Sequence, residues 1–307
     1  MNDRLPPLTP YTFGSMSLGH DPAKFPDDVR VARHAMDLGL WVHSSRAYAG
    51  GKTFEVLKKA FDEAPAKRPR TMFKVSCESA TELAADVEFT LTSLGLPKIE
   101  IAQLAGKTHQ KRDIVADFLT QGPMYQTCSR LKEQGLVDRF VFEIFYSYSA
   151  DALKAVQNDL FDGYIFYYSL LERQVSNEIW QLLWERQLPV LALRPVAGSF
   201  LTDSPKLRER RQTDPKHPAF QRLDELAPVL AASDCHDLLE LSLRFLASHP
   251  NVVTAIAGTG SLAHLDQLES SVRTAKPLAP ELVERIRTLH RTWCSQEATY
   301  QFAKELW

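Results

Sequence analysis

The sequence predicts an α/β fold, a (β/α)8 TIM barrel. Short apolar runs alternate with stretches of helical periodicity, the pattern of βα units that build a parallel sheet. Eight such alternations run along the 307 residues without a break in composition. The whole chain, 1–307, therefore reads as one barrel domain with an extra C-terminal helix over about 280–302, and barrels of this length are common as single domains.

The elements follow in order. The first apolar run is 11–18, closed by Gly19. A helix from about Asp27 has Val29, Ala32, Ala35 and Met36 at helical spacing and Gly39 just past its end. The second strand is 40–44, and a loop with Gly50 and Gly51 leads into a helix over about 53–61. The third strand is 71–77. Ser79 then reads as an N-cap with Glu82 completing a capping box, and the helix runs to Leu94. Strand four is 99–104 and its helix about 125–134, stopped by Gly135. Strand five, 140–145, precedes a helix over 150–157; strand six, 163–168, precedes one over about 176–187. Strand seven is 190–193. The polar segment 194–218 that follows reads as a long loop, with an added helix over 220–231. A helix over 237–248, strand eight at 253–256 and a helix over about 262–272 complete the alternation.

Composition excludes several classes. The net charge of −2 gives no basic excess for nucleic acid. No apolar run has the length of a membrane span. Residues 1–10 hold an acid, a base and three prolines, with no apolar signal-peptide core. Cys77, Cys128, Cys235 and Cys294 are scattered, with no CxxC pair for zinc or redox chemistry. The expectation is a reduced, cytoplasmic chain acting on a small molecule, without a bound metal.

In such barrels the site lies at the C-terminal ends of the strands. Strand three carries Lys74 in an apolar run, where a charge must be paired or its pKa lowered. Tyr48 follows strand two, and a lysine beside a tyrosine makes a proton donor or acceptor pair. The plainer reading, a loop aromatic and a strand-end lysine reaching water, stays open beside it. Trp41, at the start of the same run, is a candidate for substrate contact. His43 reads either as a general base or as a neutral, hydrogen-bonded residue. Glu143 reads as an acid, as a partner for Lys74, or as an outward ion pair. Arg194 reads as a fork for a substrate carboxylate or phosphate, or as a structural pair. The turn Gly258-Thr259-Gly260-Ser261 before a helix could hold a phosphate on its N–H groups. The run 206–211 is taken as a solvated face. Among Tyr146, Tyr148, Tyr164, Tyr167 and Tyr168, some could line a pocket and others pack the core.

Several stretches resemble the aldo-keto reductases. Residues 39–61 are similar to that family's glycine, strand, Asp-Thr-Ala, Tyr-Gly and glutamate pattern. Pro195-Val196-Ala197-Gly198-Ser199-Phe200-Leu201-Thr202 resembles its Pro-Leu-Ala-Gly-Gly-x-Leu-Thr loop. Tyr168-Ser169-Leu170-Leu171-Glu172-Arg173 resembles its Tyr-Asn-Leu-Leu-x-Arg. Leu243-Arg244-Phe245-Leu246, His249-Pro250 and Ile256-Ala257-Gly258-Thr259 resemble its last barrel unit. The resemblance runs in order from about Phe13 to Leu289. It implies NADP(H), with Tyr48 as proton donor to a carbonyl and Lys74 tuning it. It also implies that Ser169 and the 258–261 turn hold the cofactor.

The chain departs from the family's Asp-Tyr-Lys-His tetrad at two positions. His43 stands at the aspartate and Ala105 at the histidine. His109, four residues further on, is a candidate to replace that histidine. On the cofactor side, Leu193 stands where a stacking aromatic is usual and Ile165 where a glutamine is. Phe142-Glu143-Ile144-Phe145 replaces a Gly-x-Ser-Asn end, and Gly260 stands at the position of a basic residue. Gln267 and Leu268 fall where the family has Glu-Asn. Three functions are therefore carried forward: a divergent NADP-dependent carbonyl reductase; a repurposed barrel doing dehydration, isomerisation, cyclisation or lyase chemistry with His43, Tyr48 and Lys74 and no cofactor; and a non-catalytic binding barrel.

Overall fold

The computed structural model describes residues 3–105, 114–144, 149–202 and 204–295. Eight strands close into a parallel barrel in sequence order. They are β1 (Tyr11–Gly14), β2 (Trp41–Ser45), β3 (Thr71–Ser76), β4 (Ile99–Ala105), β5 (Val137–Glu143), β6 (Gly163–Tyr167), β7 (Val190–Leu193) and β8 (Val252–Ala257). The ring closes where β1 pairs β8, with Thr12 opposite Ile256.

The helices are α1 (Phe25–Asp37), α2 (Lys52–Glu63), α3 (Ala80–Leu94), α4 (Ile114–Leu119), α5 (Pro123–Glu133), α6 (Ser149–Gln157), α7 (Asn177–Glu185), α8 (Pro205–Thr213), α9 (Pro218–Ala231), α10 (Leu238–Ala247), α11 (Leu262–Thr274) and α12 (Pro280–Ser295). Their starts follow the capping chemistry in the sequence. Ser79, Ser176 and Asp237 each accept the backbone N–H three residues on, at the heads of α3, α7 and α10. The predicted first strand is shorter than expected. After Gly14 the chain turns into a 3-10 segment at Ser15–Ser17, with Leu18 N–H on the Ser15 carbonyl. The segment predicted as a long loop contains α8, started by Ser204 accepting from Leu207 N and by Pro205 at its first turn. Over 207–211 this segment is largely exposed; two of its arginines, half-buried Arg210 and exposed Arg211, lie 4.9 and 5.4 Å over the rings of Phe200 and Phe220.

Strand parity divides the core in two. Outward residues such as Val42, Phe73, Leu104, Phe142, Phe166 and Tyr168 pack under the helices. Inward residues Trp41, Met72, Ile101, Val141, Ile165, Leu191 and Ile256 fill the barrel. Because side chains alternate along a strand, the next inward positions toward the C-terminal ends are fixed. They are His43, Lys74, Gln103, Glu143, Tyr167 and Leu193. A polar layer thus sits directly above an apolar one.

Candidate active site

Lys74 and Glu143 reach across from β3 and β5, with Nζ 3.4 Å from Oε1. The lysine side chain is 23% exposed and the glutamate 3%, so the pair opens toward solvent only on the lysine side. Tyr48 joins them from the turn after β2. Gly50 and Gly51 take φ of +61° and +95°, which only glycine adopts without strain, and fold the chain back into α2. That reversal places the half-buried Tyr48 ring with its centroid 6.5 Å from that of His43. The Lys74 ammonium lies close enough to the Tyr48 hydroxyl for its charge to pull the phenol's pKa down.

His43 is buried, and its Nε2–H donates to Gln103 Oε1 at 2.7 Å. Burial first and Lys74 second pull its pKa down to about 3, against the hydrogen bond to Gln103. It is therefore neutral at physiological pH, which favours the hydrogen-bonded reading over a strong base. For Tyr48, burial raises the phenol above its ordinary value; Lys74 opposes that and Glu143 adds to it. Burial disfavours the Lys74 charge, but Glu143, Tyr48 and Tyr167 outweigh it and hold the ammonium above the usual lysine value. The site thus presents a protonated phenol beside a permanent cation.

Tyr167 completes the ring from β6, and the Arg194 guanidinium lies 5.0 Å over its face. Arg194, at the end of β7, adopts φ of +58° and is half-buried. The structure thus brings together Tyr48, Lys74, His43 and Glu143, with Arg194 behind Tyr167. Ala105 ends β4 with a methyl group. His109, Tyr146 and Tyr148 lie outside the described residues.

Trp41 is a correction. It has the inward parity of His43 but lies one layer deeper, 3% exposed, with Arg70 at the N-terminal end of β3 stacked 5.8 Å from its ring. It is part of the barrel floor, not the mouth. Ser169 is a second correction. Its fully buried hydroxyl accepts from Leu171 N and Glu172 N, at 3.2 and 3.3 Å, and so closes its own turn instead of facing a ligand. In the 258–261 turn, Gly258 is required by packing, since a Cβ there would sit 2.2 Å from the Gly14 carbonyl oxygen. Thr259 Oγ1 accepts from Ser261 N at 3.1 Å, and Ser261 caps α11. A Cβ on Gly260 would lie 3.9 Å from a carboxylate oxygen of Asp28. The first turn of α11, 262–265, carries no lysine or arginine.

The fit to a nicotinamide nucleotide is therefore uneven. The N–H groups of Leu262 and Ala263 at the head of α11, without a hydrogen-bond partner among the described residues, would suit a phosphate. At the positions where the resemblance places nicotinamide contacts stand Ile144, packed outward under the helices, Ile165, packed inside the barrel, and Leu193 at the end of β7; none is a polar partner for a carboxamide.

Three residues escaped the sequence reading. Gln103 was visible only as a strand end, yet it holds His43. Tyr167 stood among several equivalent tyrosines until register gave it the inward position. Glu172 is 1% exposed with neither oxygen hydrogen-bonded among the described residues. Burial raises it to about 6 against the pull of Arg194 and Arg222. A glutamate between Leu171 and Arg173 carries no local signal that it is buried.

A closed parallel barrel with its ionisable layer at the strand ends defines a TIM-barrel protein whose working face is the C-terminal one. The family model described as the Aldo/keto reductase family matches residues 11–291, and the chain belongs to that family. Solved structures agree in fold. An aldo-keto reductase from Klebsiella pneumoniae in complex with NADPH has a TM-score of 0.69 at 19% identity, covering 92% of each chain. The holo form of an aldo-keto reductase from Bacillus halodurans has a TM-score of 0.71 at 23% identity, covering 92% of this chain and 95% of that one. A glycerol dehydrogenase from Gluconobacter oxydans has a TM-score of 0.69 at 14% identity, covering 92% of both. No curated protein matches the sequence. Among the described residues, no helix is long and apolar enough to cross a membrane, and no His, Cys, Asp and Glu cluster could hold a metal ion.

Proposed function

We propose that the chain is a divergent aldo-keto reductase in which Tyr48 gives a proton to the oxygen of a small carbonyl substrate, with NADP(H) as reductant. The observation that carries this reading is the meeting of Tyr48 with the Lys74–Glu143 pair at the open end of the barrel, where burial favours the protonated phenol. A phenol in that state is an acid. It donates most readily to an oxygen that gains negative charge, and the neighbouring cation stabilises the same charge. The Lys74 side chain is the partly exposed member of the pair, so a ligand at the strand ends could reach it. In this reading His43 stands in the aspartate's place as a neutral residue tied to Gln103, and Ala105 leaves the tetrad histidine's donor position empty. Arg194, on the face of Tyr167, suits a substrate that carries an anionic group.

A second reading is favoured by one observation, the apolar residues Ile144, Ile165 and Leu193 at the positions where the resemblance implies polar contacts to nicotinamide. In it, Tyr48 and Lys74 run proton chemistry on a carbonyl compound without hydride transfer. Titration of NADPH followed by its fluorescence separates the two. Saturable binding, with oxidation of the cofactor by small aldehydes or ketones, is the outcome expected of a reductase. No binding at millimolar cofactor would remove the reductase and leave the acid/base centre.

A further inference from the structure

Lys74 has a carboxylate partner, and it comes from β5, two strands away. The strand beside Lys74 on one side, β2, brings no acid to the mouth. At the inward level it supplies His43, and the position directly opposite Lys74 in the ladder is Ser45. On the other side, β4 brings Gln103, directly opposite Lys74, and then Ala105. Around the rest of the layer, β6 supplies Tyr167 and β7 supplies Leu193 with Arg194 just beyond. β1 ends in Gly14, and β8 ends in Ala257 with Gly258 next. Among the described strand-end positions, Glu143 is the one carboxylate in contact with Lys74.

Its consequence is electrostatic. An ammonium without a counter-charge in a half-buried site draws the proton off an adjacent phenol and leaves a phenolate, which is a base. An ammonium whose charge is taken up by a carboxylate does so much less. We infer that Glu143 is a positioning residue that takes up the charge of Lys74 and thereby keeps Tyr48 a proton donor, a task performed from β5 because β2 offers only a neutral histidine. The inference deepens the reading of Tyr48 as an acid and rests on it for its place in catalysis, but the charge balance it describes exists without turnover. The directions of influence agree: Glu143 pushes the Tyr48 phenol toward its protonated form and Lys74 pushes it the other way. His43, already neutral and held by Gln103, takes no share of the lysine's charge.

The geometry also says where a replacement carboxylate would go. Gln103 Nε2 is buried and has no hydrogen-bond partner among the described residues. A His43→Asp substitution puts an acid on β2 beside that donor and within the field of Lys74.

The test is an ultraviolet pH titration of tyrosine ionisation, with Tyr48→Phe identifying the Tyr48 contribution by difference, on the folded full chain without substrate or cofactor. In Glu143→Gln the Tyr48 signal is expected to move to lower pH. In Glu143→Asp, which keeps the charge at shorter reach, it should return most of the way. In the double variant His43→Asp/Glu143→Gln it should return again, from the other strand. An unchanged Tyr48 titration in a folded Glu143→Gln chain would overturn the inference. So would a downward shift of equal size in Glu143→Asp, which is also the deciding variant should Glu143→Gln fail to fold. The readout needs no turnover. A chain that shifts as described but neither binds NADPH nor reduces a carbonyl compound loses the proposed function and keeps this inference; an active reductase with an unmoved Tyr48 loses the inference alone.

Discussion

Two buried polar clusters in this barrel use nearly the same residue types and do different things. One is the layer at the strand ends, with His43, Tyr48, Lys74, Gln103, Glu143 and Tyr167. The other is a seam outside β6, where Tyr168, His249, His290, Arg173 and Arg287 lie with Trp180 and Phe245 among α7, α10 and α12. In the seam the hydrogen bonds close on one another. The Tyr168 hydroxyl donates to His249 Nε2 at 3.1 Å, His249 Nδ1–H donates to the Phe245 carbonyl at 2.8 Å, and His290 Nε2–H donates to the Leu170 carbonyl at 3.0 Å. Aromatic faces seal the rest, with Phe245 and His249 ring centroids 4.6 Å apart. At the mouth, an amide nitrogen of Gln103 has no partner among the described residues and the Lys74 ammonium is partly open to solvent. A buried polar group that is fully paired holds structure together; one left with spare valence at a strand end is available for chemistry. Tyr167, the last residue of β6, and Tyr168, just past it, mark the boundary, since adjacent residues of extended backbone point to opposite faces and the two pack in different clusters.

The sharpest way to break this division is at Tyr48. If the mouth is the reactive cluster, Tyr48→Phe should lower kcat/KM with a small carbonyl compound and NADPH by roughly 10²–10⁴-fold, the usual worth of a general acid. Thermal unfolding should be almost unmoved, because the ring is retained. The matching change in the seam is Phe245→Ala. Phe245 is fully buried against Tyr168, His249 and His290, and removing its ring should cost about 3–5 kcal/mol in urea unfolding. What remains folded should keep the Tyr48 titration of the parent. A seam variant that altered that titration would show that the two clusters are coupled.

Acid should expose both clusters at once. His43 and His249 are held down to about 3 and His290 well below its ordinary 6.5, burial being the largest cause in each. These groups stay neutral when folded but take up protons once the chain unfolds. Stability is therefore full above the unfolded value and is lost as pH falls below 6.5, by about tenfold in the folding equilibrium per pH unit for each histidine. Glu172 has the opposite sign. Raised from 4.5 to about 6, it favours the folded chain as pH falls through that interval. One glutamate against three histidines leaves a net loss, read as a lower urea midpoint at pH 5 than at pH 7. Because two of the three histidines belong to the seam, His43→Gln should keep most of that slope.

How much of this was legible in the sequence depends on what is local. The eightfold alternation and the cap at Ser79 are properties of short windows, and they could be read directly; whether Glu143 turns inward with Lys74 stayed open until the strand register fixed it. Height within the barrel is not local. Trp41 and His43 share a parity, and only the strand register, Thr12 opposite Trp41 and Gly14 opposite His43, sends one to the floor and the other to the mouth. The turn that buries the Ser169 hydroxyl was hidden for the same reason. It depends on the chain doubling back so that Tyr168 meets Arg173, which no periodicity announces. The tetrad positions were found through resemblance; Glu143 was one candidate partner for Lys74 among several readings, and the closed ring chose it.

The smallest expected effect tests the boundary itself, because it applies one chemical change on either side of it. Tyr168→Phe removes a single buried hydroxyl. His249 Nε2 loses its 3.1 Å donor and retains only Arg287 Nε at 3.4 Å, while the ring contact to Trp180 at 4.7 Å survives. The loss should be about 1 kcal/mol, read as a small drop in the urea midpoint, with kcat/KM unchanged. Tyr167→Phe deletes the same atom one residue earlier. Tyr167 supports the charge of Lys74 and is itself raised by burial first and by Glu143 next. Its removal should displace the pH dependence of kcat/KM and barely touch the midpoint. A reversal, with Tyr168→Phe moving the pH profile and Tyr167→Phe only the stability, would mean that the reactive face of this barrel has been placed on the wrong side of β6.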